Sequence, residues 1–149
     1  MIRFRLGWAR GAVSRKHYKN ASCHELFSEY LQRIAYFTPC TVSGVDLSKK
    51  PEKKTKVWFC HSSNDSKTLS SEALARELEK WNQSAAQELE IMIGPADGFT
   101  REHLGLWKPD LLWSFGPMTL PHELASVVAA EQIYRAFTIL KKLPYHTSH

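Results

Sequence analysis

Three short segments of this chain combine glycine, proline or small polar residues directly after an apolar run: His61 to Ser66, Gly94 to Gly98, and Gly116 to Pro121. Such segments expose backbone N–H and C=O groups and let a ligand approach the main chain closely, which suits a small molecule with a polar edge. Other chemistries are poorly served. Cys23, Cys40 and Cys60 are odd in number, far apart and form no C-x-x-C pair, which predicts reduced thiols packed as small apolar groups in a cytosol. The seven histidines show neither H-E-x-x-H nor a Cys/His set, so no metal site is expected. No G-x-G-x-x-G or Walker A pattern supports a generic nucleotide-binding domain.

The elements that must position these loops can be read from periodicity and punctuation. Ile2, Phe4 and Leu6 alternate with Arg3 and Arg5, as in a half-buried first strand. A basic polar stretch follows, then a helix from about Ser22 to Ala35 and a short strand from Thr41 to Val45. The run from Asp46 to Lys56, with Pro51 and five lysines, reads as an exposed connection. Val57 to Cys60 is a continuous apolar run, as expected of a strand covered on both faces. Ser70 or Ser71 can cap the next helix, with Glu72 in its positive first turn and Leu74, Leu78 and Trp81 as its buried stripe. Leu89 to Ile93 and Leu111 to Phe115 are the remaining strands, with a short helix between them from Thr100 to Trp107. Pro121 is well placed in the first turn of a long final helix. Strands alternating with helices predict an α/β fold with a mainly parallel sheet and helices on both faces, in which ligands bind at the loops after the strands' C-terminal ends. The three segments named first are such loops.

A length of 149 residues fits one domain, 1–149. No apolar run approaches the ~18 residues of a membrane span. The net charge of +5 is unevenly placed: Arg3, Arg5, Arg10, Arg15, Lys16 and Lys19 all precede the first acidic residue, Glu25. Lys49, Lys50, Lys53, Lys54 and Lys56 form a second cluster. Two such patches favour a polyanionic partner, although a solvated surface and a flexible linker have the same composition. An arginine-rich start is also typical of an organellar transit peptide, but the alternation from Ile2 to Leu6 argues for a strand. The final helix carries two apolar stripes, Leu124, Val127 and Val128 on one side and Ala130, Ile133, Phe137 and Leu140 on the other. A helix that buries two faces lies between layers or between subunits. Glu131 and Arg135, one turn apart, can pair on the first stripe.

Several motifs together resemble one known family. Trp113-Ser114-Phe115-Gly116-Pro117-Met118-Thr119-Leu120-Pro121-His122, then Ala130-Glu131-Gln132-Ile133-Tyr134-Arg135-Ala136 and the closing Pro144-Tyr145-His146, are similar to the C-terminal signature of ribosomal RNA large subunit methyltransferase H, of the knotted SPOUT superfamily. Lys67 to Ala75, Ile93 to Phe99, and Glu29-Tyr30 with Arg33 also match, and the likeness is densest from Lys67 to His146. The resemblance implies a C-terminal trefoil knot, a homodimer formed through the last helix, and S-adenosylmethionine as cofactor. It implies methylation of N3 of a pseudouridine in the helix 69 loop of 23S rRNA on the assembled large ribosomal subunit, in the cytoplasm. By position, Ser62, Gly94, Phe115, Gly116, Pro117, Met118, Thr119 and Leu120 would contact the cofactor. His146, Tyr145 and His122 are the candidates for handling the imide proton, His146 first, and Arg135 for orienting a phosphate or the imide anion. The chain departs from the pattern at Ser62, where leucine is usual, at Pro95, where a second glycine is, and at Ser126, where an arginine is. These departures leave a second reading open, a non-catalytic RNA-binding dimer with a degenerate cofactor site.

Overall fold

The computed structural model describes residues 1–49, 51, 55–63 and 65–147. Six strands form one parallel sheet in the order β2-β1-β5-β3-β6-β4. They are β1 (Ile2–Leu6), β2 (Cys40–Gly44), β3 (Lys56–Cys60), β4 (Lys67–Thr68), β5 (Leu89–Ile93) and β6 (Leu111–Ser114). The helices are α1 (Ala21–Ala35), α2 (Ser71–Gln83), α3 (Arg101–Trp107) and α4 (His122–Leu140). Every expected strand and helix is present, and the structure adds β4, a two-residue edge strand too short for periodicity to reveal.

Local chemistry accounts for the helix starts. Asn20, Ser70 and Thr100 cap α1, α2 and α3 by accepting N–H groups three residues on, each at 3.1 Å. Pro121 sits one residue before α4, at the N-cap position rather than within the first turn.

The alternation in β1 sorts its side chains as expected. Ile2, Phe4 and Leu6 are fully buried against α1, α2 and α4, while Arg3 and Arg5 point to the other face, where Arg5 pairs with Glu90 at 2.7 Å. A second apolar cluster covers that other face around Val57, Phe59, Met92 and Trp107, so helices do flank both sides of the sheet. Leu47 belongs to this cluster and is 5% exposed, with its carbonyl accepting from Trp107 Nε1 at 2.9 Å. The expected exposed connection from Asp46 to Lys56 is therefore corrected at both ends: Leu47 is core, because the indole of Trp107 needs an acceptor and an apolar neighbour there, and Lys56 begins β3. Lys50, Lys53 and Lys54 of the basic cluster lie outside the described residues.

Helix α4 packs between α1 and α2, burying Ala129, Ala130, Ile133, Ala136 and Phe137. The second apolar stripe is thus core within one chain, apart from half-buried Leu140. The first stripe divides: Val127 is buried, Val128 is half-buried and Leu124 is 40% exposed. Glu131 and Arg135 form the expected i,i+4 pair at 2.6 Å.

Candidate functional site

Strands β5, β3 and β6 are neighbours in the sheet and run in the same direction, so their C-terminal ends lie side by side. The loops that follow them are the three singled out from sequence, and they converge on one cavity of about 330 Å³. Ser62, Gly94, Phe115, Gly116, Met118, Thr119 and Leu120 all line it; Pro117 does not. His61, Pro95, Asp97, Phe99, His122 and Ala125 complete much of the wall.

Each loop has a local cause for its shape. After β6, Gly116 adopts φ +119°, a conformation open to glycine, and its N–H donates to Ser114 Oγ at 3.1 Å. The N–H groups of Met118, Thr119 and Leu120 make no hydrogen bond among the described residues. After β5, Gly94 lies close under a protein neighbour: a Cβ there would lie 3.2 Å from the Phe99 ring, which stacks on Phe59 at 4.2 Å between centroids. Pro95 needs no N–H: its carbonyl closes the turn by accepting from Gly98 N at 2.8 Å, and its ring packs over Gly7. The departure at Pro95 therefore leaves the turn intact. After β3, His61 donates its N–H to Trp113 O at 3.0 Å and sets its ring edge against Phe99. Burial holds its imidazole pKa below the ordinary histidine range. Periodicity gave no signal for His61 beyond its place at a strand end.

The candidate proton-handling residues separate into two places. His122 lines the cavity, with its ring centroid 4.5 Å from that of Trp8 and its Nε2 3.8 Å from Glu123 Oε2. It is the first residue of α4 and supplies no cap hydrogen bond. Tyr145, His146 and Arg135 do not line the cavity; they join the tail to α2 and α4. His146 Nε2 lies 2.7 Å from Glu72 Oε1, and its Nδ1 lies 3.1 Å from Arg135 Nη1. Arginine can only donate, so Nδ1 accepts and the neutral ring carries its proton on Nε2, facing Glu72. Both nitrogens are committed in this seat. The His146 contact in turn holds the Glu72 carboxyl below its usual range. Tyr145 donates to Glu131 Oε1 at 3.1 Å, and burial, with the neighbouring Tyr30 and Glu131, raises its pKa.

Ser126, at the position of the expected arginine, is fully buried. Its Oγ donates to Glu123 O at 2.6 Å and lies 2.7 Å from Tyr18 Oη. Burial drives the Tyr18 pKa up. The three thiols are free, and burial pushes Cys40 up to about 12 and raises Cys60 too. Among the described residues no group of three or more His, Cys, Asp or Glu side chains could hold a metal ion, and no helix is long and apolar enough to cross a membrane.

Sheet, helices and strand-end cavity together define an α/β protein with a cavity at the C-terminal edge of a parallel sheet, the edge at which such folds bind ligands. The "Predicted SPOUT methyltransferase" family matches residues 12–146, and the chain belongs to that family, in the group of ribosomal RNA large subunit methyltransferase H. The relative of that name from Erythrobacter litoralis is 34% identical over 93% of this chain and 94% of its own, and the one from Koribacter versatilis 34% over 88% and 92%. The match to the Maricaulis maris protein is 46% identical and spans half of that protein's length. A methyltransferase from Legionella pneumophila, solved with bound S-adenosylmethionine, superimposes with a TM-score of 0.44 at 16% identity over 91% of this chain and 66% of that one, too loosely to equate residues.

Proposed function

We propose that this protein transfers a methyl group from S-adenosylmethionine to large-subunit ribosomal RNA in the cytoplasm, with N3 of a pseudouridine in the helix 69 loop of 23S rRNA as the target. The observation that carries this reading is the convergence of three loops from adjacent parallel strands on one cavity, within a family of methyltransferases. The cavity fits the cofactor. Its volume of about 330 Å³ lies at the lower end of the roughly 300–1,000 Å³ of small-molecule sites. Ile93, Met118 and Leu120 offer apolar walls to a flat ring, and the free N–H groups of Met118 to Leu120 suit an adenine edge.

Bound there, the cofactor supplies an electrophilic methyl on a sulfonium. The protein's share is to orient the two reactants, exclude water and remove the imide proton. His122 borders the cavity, which supports a role for it in taking that proton, with Glu123 beside it to stabilise the imidazolium. Tyr145 and His146 are held elsewhere in the same chain, so their part in the reaction requires the tail of a second protomer. A homodimer through α4, whose Leu124 is 40% exposed, supplies one. The trefoil knot of the C-terminal half belongs to the same reading. A second reading, an RNA-binding dimer without turnover, is favoured by Ser62, which sets a hydroxyl where an apolar contact is expected. Calorimetric titration with S-adenosylmethionine separates the two, since the enzyme requires measurable binding. Mass spectrometry of rRNA from a deletion strain then tests the target: unchanged methylation at the helix 69 pseudouridine rules it out.

A further inference from the structure

We propose that the segment from Trp8 to Asn20 is a pre-formed docking surface for the phosphate backbone of the RNA whose base enters the cavity, an inference that rests on the methyl-transfer reading above. The topology puts the segment in the right place. Strand β1 is the parallel neighbour of β5, so the chain leaves β1 at the same sheet edge that carries the three cavity loops. Trp8 then sets its ring against His122, which lines the cavity.

The segment is rich in cations and poor in carboxylates to pair with them, although Arg15 Nη1 donates to Tyr18 O at 3.2 Å. Arg10, Arg15, Lys16 and Lys19 are exposed. Arg10 faces Asp46 at 3.7 Å, and no carboxylate pairs with the side chains of Arg15, Lys16 or Lys19 among the described residues. Composition alone does not separate such a patch from an ordinary solvated surface. The anchoring does. Trp8 Nε1 donates to His17 O at 2.9 Å, Gly44 N to Gly11 O at 2.7 Å, and Arg10 Nη1 to Val45 O at 2.8 Å. The N–H groups of Lys19 and Asn20 donate to the Glu123 carboxylate at 3.0 and 2.8 Å, and Tyr18 Oη meets Ser126 Oγ at 2.7 Å. Tyr18, Glu123 and Ser126 are 2%, 8% and 0% exposed, so buried polar groups of α4 are committed to holding this stretch of main chain. Of the carboxylates beside the segment, Glu123 is occupied by backbone N–H groups and Asp46 faces Arg10, which leaves the outer surface at Arg15, Lys16 and Lys19 positive. A main chain held in place loses little backbone entropy when a polyanion binds to the cations it carries, and phosphate contacts orient a nucleic acid without reading its sequence. A base presented to the cavity needs that kind of register.

The test is fluorescence anisotropy of a labelled RNA hairpin against the full chain, titrated with KCl from about 50 to about 300 mM. Arg15→Ala/Lys16→Ala is compared with Arg76→Ala/Lys80→Ala, an equal charge loss at exposed positions on α2. The expected result for the first pair is a slope of log affinity against log salt reduced by about 1–2, and a Kd raised at least about tenfold at ~0.1 M salt. The α2 pair should stay within about twofold of the unaltered protein. Equal losses in both variants, no loss in the first, or no hairpin binding by the unaltered protein would overturn the proposal. S-adenosylmethionine titration of the same preparations keeps the two readings apart: cofactor binding should be unchanged by either pair, and its absence from the unaltered protein refutes methyl transfer instead.

Discussion

Replacing Tyr18 with phenylalanine and Ser126 with alanine, singly and together, tests how the basic segment is held to α4. Ser126 Oγ donates to the Glu123 carbonyl at 2.6 Å, which uses its only proton, so the 2.7 Å contact with Tyr18 must run from the phenol to Ser126 Oγ. The two substitutions are therefore unequal. Tyr18→Phe removes a donor and leaves Ser126 still bonded to Glu123, a loss of about 0.5–1.5 kcal/mol for a net hydrogen bond. Ser126→Ala leaves the Tyr18 hydroxyl buried with no acceptor, and an orphaned buried polar group costs about 1–3 kcal/mol. In the double variant neither partner is stranded, so the cost falls short of the sum by about 1 kcal/mol or more. Urea denaturation at neutral pH measures all three, and in thermal melts 1 kcal/mol corresponds to roughly 2–4 °C for a domain near this size. A Tyr18→Phe cost equal to or above that of Ser126→Ala, or strict additivity, would refute the direction of the chain. Ser126→Arg, the residue expected there from the resemblance, should be worse than either, because the position has no exposure to accept a charge.

Gly94→Ala places a methyl 3.2 Å from Phe99, whose ring is already stacked on Phe59, so a loss of about 1–3 kcal/mol in stability is expected. The displaced Phe99 also lines the cavity, and calorimetry should show weakened S-adenosylmethionine binding; unchanged affinity would exclude this wall from the site. For Glu123, burial opposes ionisation, but the N–H groups of Asn20 and Lys19 outweigh it and the folded pKa is depressed. Its stabilisation is therefore present above the usual carboxylate range and lost as pH falls through the depressed value. Glu123→Gln should be the less stable protein near neutral pH, with the gap closing as pH falls below the usual carboxylate range in denaturation curves. Cys40 and Cys60, raised by burial, should resist iodoacetamide at about pH 8 in the folded protein and react once it is unfolded.

Much of the site was legible because it rests on short-range signals. Gly116 and Gly94 follow apolar runs, and Ser70 stands where capping chemistry requires it. The rule that ligands sit at the C-terminal ends of parallel strands then selected three loops, and all three meet at one cavity. The misreadings came from long-range partners. Leu47 looked like linker because its burial depends on Trp107, 60 positions away. Ser126 stood only as a departure from the resemblance, and its partner Tyr18 lies 108 positions away. The seat of His146 between Arg135 and Glu72, the latter 74 positions distant, carries no local signal either.

By itself, the sequence determined five of the six strands, the four α-helices, the cap of α2, the parallel α/β class, and which loops carry glycine where the backbone must bend. Periodicity, capping and φ preferences act over a few residues, so one strand of letters is enough to reveal them. Only the tertiary structure decided that β5, β3 and β6 lie side by side, that Gly94 answers to Phe99, and that Tyr145 and His146 dock away from the cavity in their own chain. It also decided that the basic segment after β1 is pinned by Glu123 and Ser126 beside His122. Strand order and side-chain partnership are set by how the whole core closes, and no local pattern records which distant group will fill a given contact.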